Sequence, residues 1–387
     1  MDAQFALFEN DRLRRVMTRF GLASDGHVRL WRCALVLPIV LWAPLVLLSA
    51  VQGLWWTQDL KQSFLADFSV HMQMLVAIPF FLFAEEFVEQ RIGEAWLQLR
   101  DGGLVSPESR QVLLDAAAKA MRVRDSIWLD MLAYALGLAG AWIWLWQMKS
   151  DGVSTWHSVV DGPSEGLSLA GWWLGLVSVP ILNYWYGRWL GKWAIWSYLL
   201  WSASHTNLRL SAAHPDLSGG LSFLNRTQGS FGMIVFGIGM VVATTVGYLV
   251  GVAGLAAHSF AVWFSITGFL TLGPTAFLLP LFFFSRQLVE AKTRGFVEYG
   301  ALGLEYTEAF RSKWITGREK PNPLEASADI AGLCDLGQHY ENVRNMRVVP
   351  FDFNTALQLF GAALGPLLPV LLRIFELPEP IKKLFGI

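Results

Sequence analysis

SFGMIVFGIGMVVATTVGYLVGVAGLAAHSFAVWFSITGFLTLGPTAFLLPLFFF, residues 230–284, contains no Asp, Glu, Lys or Arg. It divides at a short polar link into apolar runs at 230–256 and 260–284. Each is longer than the roughly 20 helical residues that cross about 30 Å of hydrocarbon. Two such runs joined by so short a link predict a tight antiparallel pair of membrane helices. Working outward, comparable runs lie at 33–51, 70–88, 127–148, 167–186 and 354–375. The chain reads as all-α: a polytopic α-helical membrane protein with six to seven transmembrane helices and helical cytoplasmic extensions.

Composition agrees. Of 387 residues, 54% are hydrophobic and 16% charged, against roughly 25% charged in soluble globular chains. The 19 Trp and 26 Phe suit lipid-facing surfaces and interfacial belts. A net charge of −1 argues against a nucleic-acid partner, which normally leaves a basic footprint. Cys33 and Cys334 are far apart in kind and place, so neither a disulfide framework nor a Cys-based metal site is expected. No metal or cofactor motif is present, and the N-terminal stretch lacks the form of a signal peptide.

Orientation follows from the basic residues. Six Lys or Arg precede the first span, six follow the second, four follow the fourth and nine follow the sixth. The opposite loops hold Lys61 and Lys149 alone. The N-terminus is therefore placed inside. Arg373, Lys382 and Lys383 beyond the last apolar run oppose its exit to the outer face, leaving a crossing or an interfacial helix open.

Four regions result. Residues 1–32 hold an amphipathic interfacial helix, with Leu13, Val16, Met17 and Phe20 on one face and Arg12, Arg14, Arg15 and Arg19 on the other. Residues 33–284 form a six-span bundle with cytoplasmic helical loops at 86–126 and 187–229. Residues 285–353 form a cytoplasmic helical module, and 354–387 the seventh span with a short tail. Ser106-Pro107-Glu108 is a helix start, and that helix is expected to run on into the third span. Ala243-x3-Gly247-x3-Gly251 has the spacing that lets membrane helices approach closely. Gly273-Pro274 and Pro280 predict a kink in the sixth span.

Charged groups inside a membrane are costly and usually functional. None lies at mid-depth here. Glu85, Glu86, Asp130, Arg188, Lys192 and Arg286 instead gather at the inner edge, where they suit a polar cavity or pore mouth; snorkelling pairs, such as Asp130 with Arg188, are the plainer alternative. Between the halves lies SASHTNLRLSAAHPDLSGGLSFL, residues 202–224. Pro215 holds His214 extended, Asp216 suits an Asx turn, and Gly219-Gly220 permits positive φ. His214 and Asp216 are candidates for an acid/base pair. His205, Gly219 and Gly220 are candidates for a polar loop or anion nest. The spacing of the two histidines matches no metal motif.

The His-Pro-Asp-x-x-Gly-Gly-Leu loop with Leu221-Ser-Phe-Leu224, together with Met346-Arg-Val-Val-Pro350-Phe-Asp352, resembles a family of bacterial polytopic inner-membrane proteins without an assigned function. The resemblance implies that setting and no particular activity. Three functions follow from the residues. The first is an oligomeric channel or passive transporter with a charged cytoplasmic mouth. The second is a membrane-embedded enzyme acting on a lipid-like substrate at the cytoplasmic interface. The third is a scaffold or sensor binding a protein partner through 285–353. The bilayer is the one partner common to all three.

Overall fold

The computed structural model describes residues 5–7, 23–24, 27–28, 30–151, 153–159, 166–316 and 323–374. Helices α1 (Leu30–Val51), α2 (Phe68–Asp101), α3 (Pro107–Arg124) and α4 (Ile127–Asp151) come first. Helix α5 then runs over 169–204, α6 over Phe223–Ser230, α7 over Gly232–Gly251 and α8 over Phe260–Leu278. Helices α9 (Ser285–Phe310), α10 (Pro323–Asn345) and α11 (Phe353–Ile374) complete the chain. Two two-residue hairpins, Ala23–Ser24 with His27–Val28 and Ser158–Val159 with Gly166–Leu167, are the strands among the described residues.

Prolines explain where the long helices change pitch. A π turn at Met72–Ala77 precedes Pro79 in α2, and another at Leu174–Ser178 precedes Pro180 in α5. A proline has no amide to donate, and its ring crowds the carbonyl four residues back. Widening the preceding turn relieves both problems. Past α8, Pro280 opens a 3-10 stretch at Leu279–Phe284 before α9. Pro274 stays inside α8, so the break in the sixth span falls at the second of its two expected sites.

Among the described residues, six helices are long and apolar enough to cross a membrane: Arg32–Val51, Phe68–Asp101, Ile127–Trp146, Phe223–Gly251, Phe260–Ile315 and Phe353–Ile374. Helix α5 is not among them, since Asn183 and its many Trp and Tyr lower its hydropathy. Yet α5 lies antiparallel along α4 for most of its length. Cβ atoms built on Gly137, Gly140 and Gly187 would stand 2.7 Å from the Pro180 carbonyl oxygen, 2.5 Å from Asn183 Nδ2 and 2.9 Å from Ala133 Cα. That register carries α5 back through the thickness that α4 traverses. Helices α2 and α7 are also antiparallel, with Phe81 against Gly237 and Gln73 Nε2 donating to Thr244 Oγ1 at 3.0 Å.

Helix α11 settles on α7 in parallel: Gly232 faces Leu359 and Ala362, Gly239 faces Ala363 and Pro366, and Leu249 shares an apolar cluster with Leu367. The last span thus follows α7 from end to end, despite Arg373 near its terminus.

Two expectations are corrected. Helix α3 stops at Arg124 and α4 restarts at Ile127, because Asp125 closes one helix and Ser126 Oγ accepts the Trp128 amide at the next (3.3 Å). Gly247 and Gly251 have no atom within 4 Å of a built Cβ, so the close helix contact expected there is made instead by the glycines of α4 and α5. The amphipathic N-terminal helix falls mainly on residues outside those described. Phe5, Ala6 and Leu7, however, are buried in protein rather than lying on lipid.

Candidate functional site

The loop between α5 and α6 folds around a single carboxylate. Asp216 Oδ1 accepts the amides of Ser218 (2.8 Å) and Gly220 (3.1 Å), and Oδ2 accepts that of Ser222 (3.1 Å). To bring three amides onto one side chain the backbone turns left-handed, with φ of +56° at Leu217, +66° at Gly219 and +98° at Gly220. Of the expected nest donors, the Gly220 amide is taken by Asp216 itself. His214 Nδ1 lies 2.8 Å from Asp216 Oδ1; with Nδ1 as the donor, Nε2 keeps its lone pair. Burial works to raise the Asp216 carboxyl, but the amides of Ser218, Ser222 and Gly220, together with His214, outweigh it. They hold it below the usual carboxylate range.

Neighbouring segments clamp this loop. The Leu104–Ser106 connection pairs with Asn207–Arg209, the Arg209 amide reaching the Leu104 carbonyl at 2.7 Å and Ser106 that of Asn207 at 3.0 Å. On the other side, the Arg347 guanidinium donates to the Asp216 carbonyl (2.9 Å) and the Arg347 amide to that of Leu217 (2.8 Å). Asp352 receives the amide and hydroxyl of Thr355 and donates its own amide to Asn225 Oδ1 (3.2 Å). The two motifs singled out in the sequence, 131 residues apart at Arg347 and Asp216, form one structural unit.

Below the loop is an open cavity of about 550 Å³. Its wall carries Arg91 and Glu94 from α2, Arg209, His214 and Asp216 from the loop, and Arg226 from α6. Arg91 pairs with Glu94 at 2.9 Å. Among the described residues the side chains of Arg209 and Arg226 have no carboxylate partner, and both are exposed to the chamber mouth. The chamber thus carries a local excess of positive charge in a chain whose net charge is −1.

The charges expected to share a pore mouth separate into two groups. Arg188 holds Glu85 through both oxygens, at 2.9 and 3.3 Å, with each side chain about 95% buried (4% and 5% exposed). Arg188 thus pairs with Glu85, and the guanidinium also lies 5.7 Å from the Trp185 ring. One turn on, Lys192 is buried and donates to the Leu7 carbonyl, while Arg124 donates to that of Ala6. The Leu7 amide reaches Glu89 at 3.0 Å, and Phe5 packs on Trp96 and Trp196. Glu86 and Arg286 instead face outward, Arg286 pairing with Glu290 along α9, and Asp130 is half-buried 3.5 Å from Tyr184 Oη. The inner group lines a slot that receives the chain's own residues 5–7.

His205 is separate from both. Its Nδ1 donates to the Trp201 carbonyl (2.8 Å) and its ring lies against Trp201, so it closes the end of α5. Among the described residues no three His, Cys, Asp or Glu side chains come together as a metal would require. Sequence reasoning missed Arg91, Arg209 and Arg226 as a group, since they stand on three segments with no shared spacing. The one available signal was their position at the same predicted membrane edge.

No family model, curated protein or solved structure matches the chain.

Proposed function

We propose that this integral membrane protein binds an anionic solute in the chamber beneath the Asp216 loop, at the cytoplasmic end of its bundle in a bacterial inner membrane. The observation that carries this reading is the pair Arg209 and Arg226, without carboxylate partners among the described residues, beside Arg91 and His214 on one cavity wall. Guanidinium groups recognise carboxylate and phosphate oxygens through paired N–H donors. The cavity lies within the roughly 300–1,000 Å³ range of small-molecule sites. The cytoplasmic placement rests on the Lys and Arg asymmetry of the loops.

The chamber also suits the charged mouth of a channel or passive transporter assembled from several copies. Within one protomer Glu85 and Arg188 close on each other, so they offer no charged lining for a path through the bundle. A second reading, acid/base chemistry on the bound anion, is favoured by the 2.8 Å contact between His214 and Asp216. It leaves His214 Nε2 as the proton acceptor and Asp216 as the group that orients the ring.

The test is thermal stability of the purified protein with inorganic phosphate or pyrophosphate, at constant ionic strength against chloride. The wild type should gain several degrees, and Arg209→Gln with Arg226→Gln should lose most of that gain while melting normally without anion. Equal shifts in wild type and double variant would remove the chamber as the site. Ion flux through the same protein in liposomes then separates passage from binding alone.

A further inference from the structure

A second cavity, of about 480 Å³, shares no lining residue with the loop chamber and has different chemistry. It is a groove between α3, α4 and α5, walled by aliphatic side chains and floored by Gly187, Gly191 and Ala194. Its open side is formed by Leu132, Leu136 and Leu190, which are 58%, 47% and 55% exposed. Leu132 and Leu136 belong to the membrane-crossing part of α4. The groove is therefore continuous with the lipid-facing surface of a span. From Gly187 to Tyr198 it follows α5 for about 16 Å at 1.5 Å per residue.

Only one end is polar. There Lys119 from α3 places its ammonium 5.6 Å from the centre of the Tyr198 ring, beyond the last membrane-crossing residue of α4 at Ile127. Hydrocarbon at one end and a cation with a phenol at the other match one molecule type: an acyl chain bearing an anionic head. A zwitterionic lipid would fill the slot but set its own ammonium beside Lys119.

We propose that this groove is a binding site for one acyl chain of an anionic membrane phospholipid, with its phosphate held at Lys119. The basic amine acts as a point charge for phosphate, and the wall excludes water from the chain. This site is independent of the anion chamber and does not rest on the function proposed for it.

The experiment is a lipid titration followed by native mass spectrometry on the delipidated full-length protein. Phosphatidylglycerol, phosphatidylcholine with the same chains, and oleate are the probes. A photoactivatable diazirine on the phosphatidylglycerol chain maps the site. Phosphatidylglycerol should bind at least fivefold more tightly than phosphatidylcholine and label Leu132, Leu136 or Leu190. Lys119→Glu should erase the preference while leaving phosphatidylcholine binding unchanged. Ala194→Phe, at an exposed position of α5, should block labelling by filling the floor. Equal affinity for the two lipids, an unaffected Lys119→Glu variant, or labels elsewhere would overturn the proposal. Oleate binding more tightly than phosphatidylglycerol would overturn it in favour of a free fatty acid, and a crosslink to a second copy in favour of a protein interface.

Discussion

Asp216 commits both carboxylate oxygens to its own loop, and this changes what the residue can do. A carboxylate held by three amides is a positioning group for His214 and a poor base itself. At the other end of the bundle His157 makes a comparable adjustment in the opposite chemical sense. It is buried among Trp144, Trp156 and Thr155, and burial pushes its imidazole down to about 3. The unfolded chain takes up this proton near the ordinary value of 6.5, whereas the folded chain resists it. The contribution to stability is therefore complete above about pH 6.5 and is lost as the pH falls toward 3. Asp67, hydrogen-bonded to Trp156 at 2.9 Å, is raised by burial and works in the other direction. Comparing variants at each pH cancels its effect. Melting temperatures of wild type and His157→Gln in detergent should converge as pH falls from 7.5 to 5; parallel curves would remove His157 as the acid-sensitive group. The Asp216 turn is legible in sequence because Pro215, Asp216 and the paired glycines are neighbours with local conformational rules. The arginines of the chamber are not, because three segments must fold before they meet.

Among the elements, α5 shows where hydropathy fails. Trp172, Trp173, Asn183, Tyr184 and Tyr186 make it look half-polar, yet Leu174, Val179, Leu182 and Trp185 are buried against neighbours. A helix enclosed by protein needs less apolar surface than one facing lipid, so length and helix register identify it better than mean hydropathy. The spans around residues 230–284 were legible because they lack charge throughout. The small-residue spacing was legible as a motif, but within one chain Gly247 and Gly251 meet no neighbour. A Cβ on Gly187 meets the Ala133 backbone, whereas one on Gly247 meets nothing within 4 Å. Gly187→Leu should therefore force α4 from α5 and cost about 1–3 kcal/mol as overpacking, read as a lower melting temperature. Gly247→Leu should leave it within a degree or two. The reverse order would show that α7 has a close neighbour in the working protein.

Across the whole molecule, distant parts of the chain close on one another. The Arg347 and Asp352 segment grips the Asp216 loop, α11 follows α7, and Phe5–Leu7 occupies the slot between α2, α3 and α5. Lipid anchoring alone would leave Ala6 accessible, so its burial is open to chemical test. In an Ala6→Cys variant the new thiol should react with a maleimide far more slowly than exposed Cys334 in the same molecule. Adding Phe5→Ala, which removes the ring from Trp96 and Trp196, should bring the two rates together. Rapid labelling without that second change would mean the slot does not hold the segment.

The slot also sets an order of assembly. Residues 5–7 leave the ribosome before every helix that binds them, and Lys192 follows Leu7 by 185 residues. At bacterial or eukaryotic synthesis rates of about 5–20 residues per second, that is a wait on the order of ten to forty seconds. Residues 5–7 must stay undocked while α1, α2 and α4 enter the bilayer, and they find their place only once α5 has followed. Docking of the segment is thus a late event that reports on the placement of α2, α3 and α5 together. A nascent chain with α5 inserted the wrong way round would leave residues 5–7 unclaimed, and so carry a visible mark of its error.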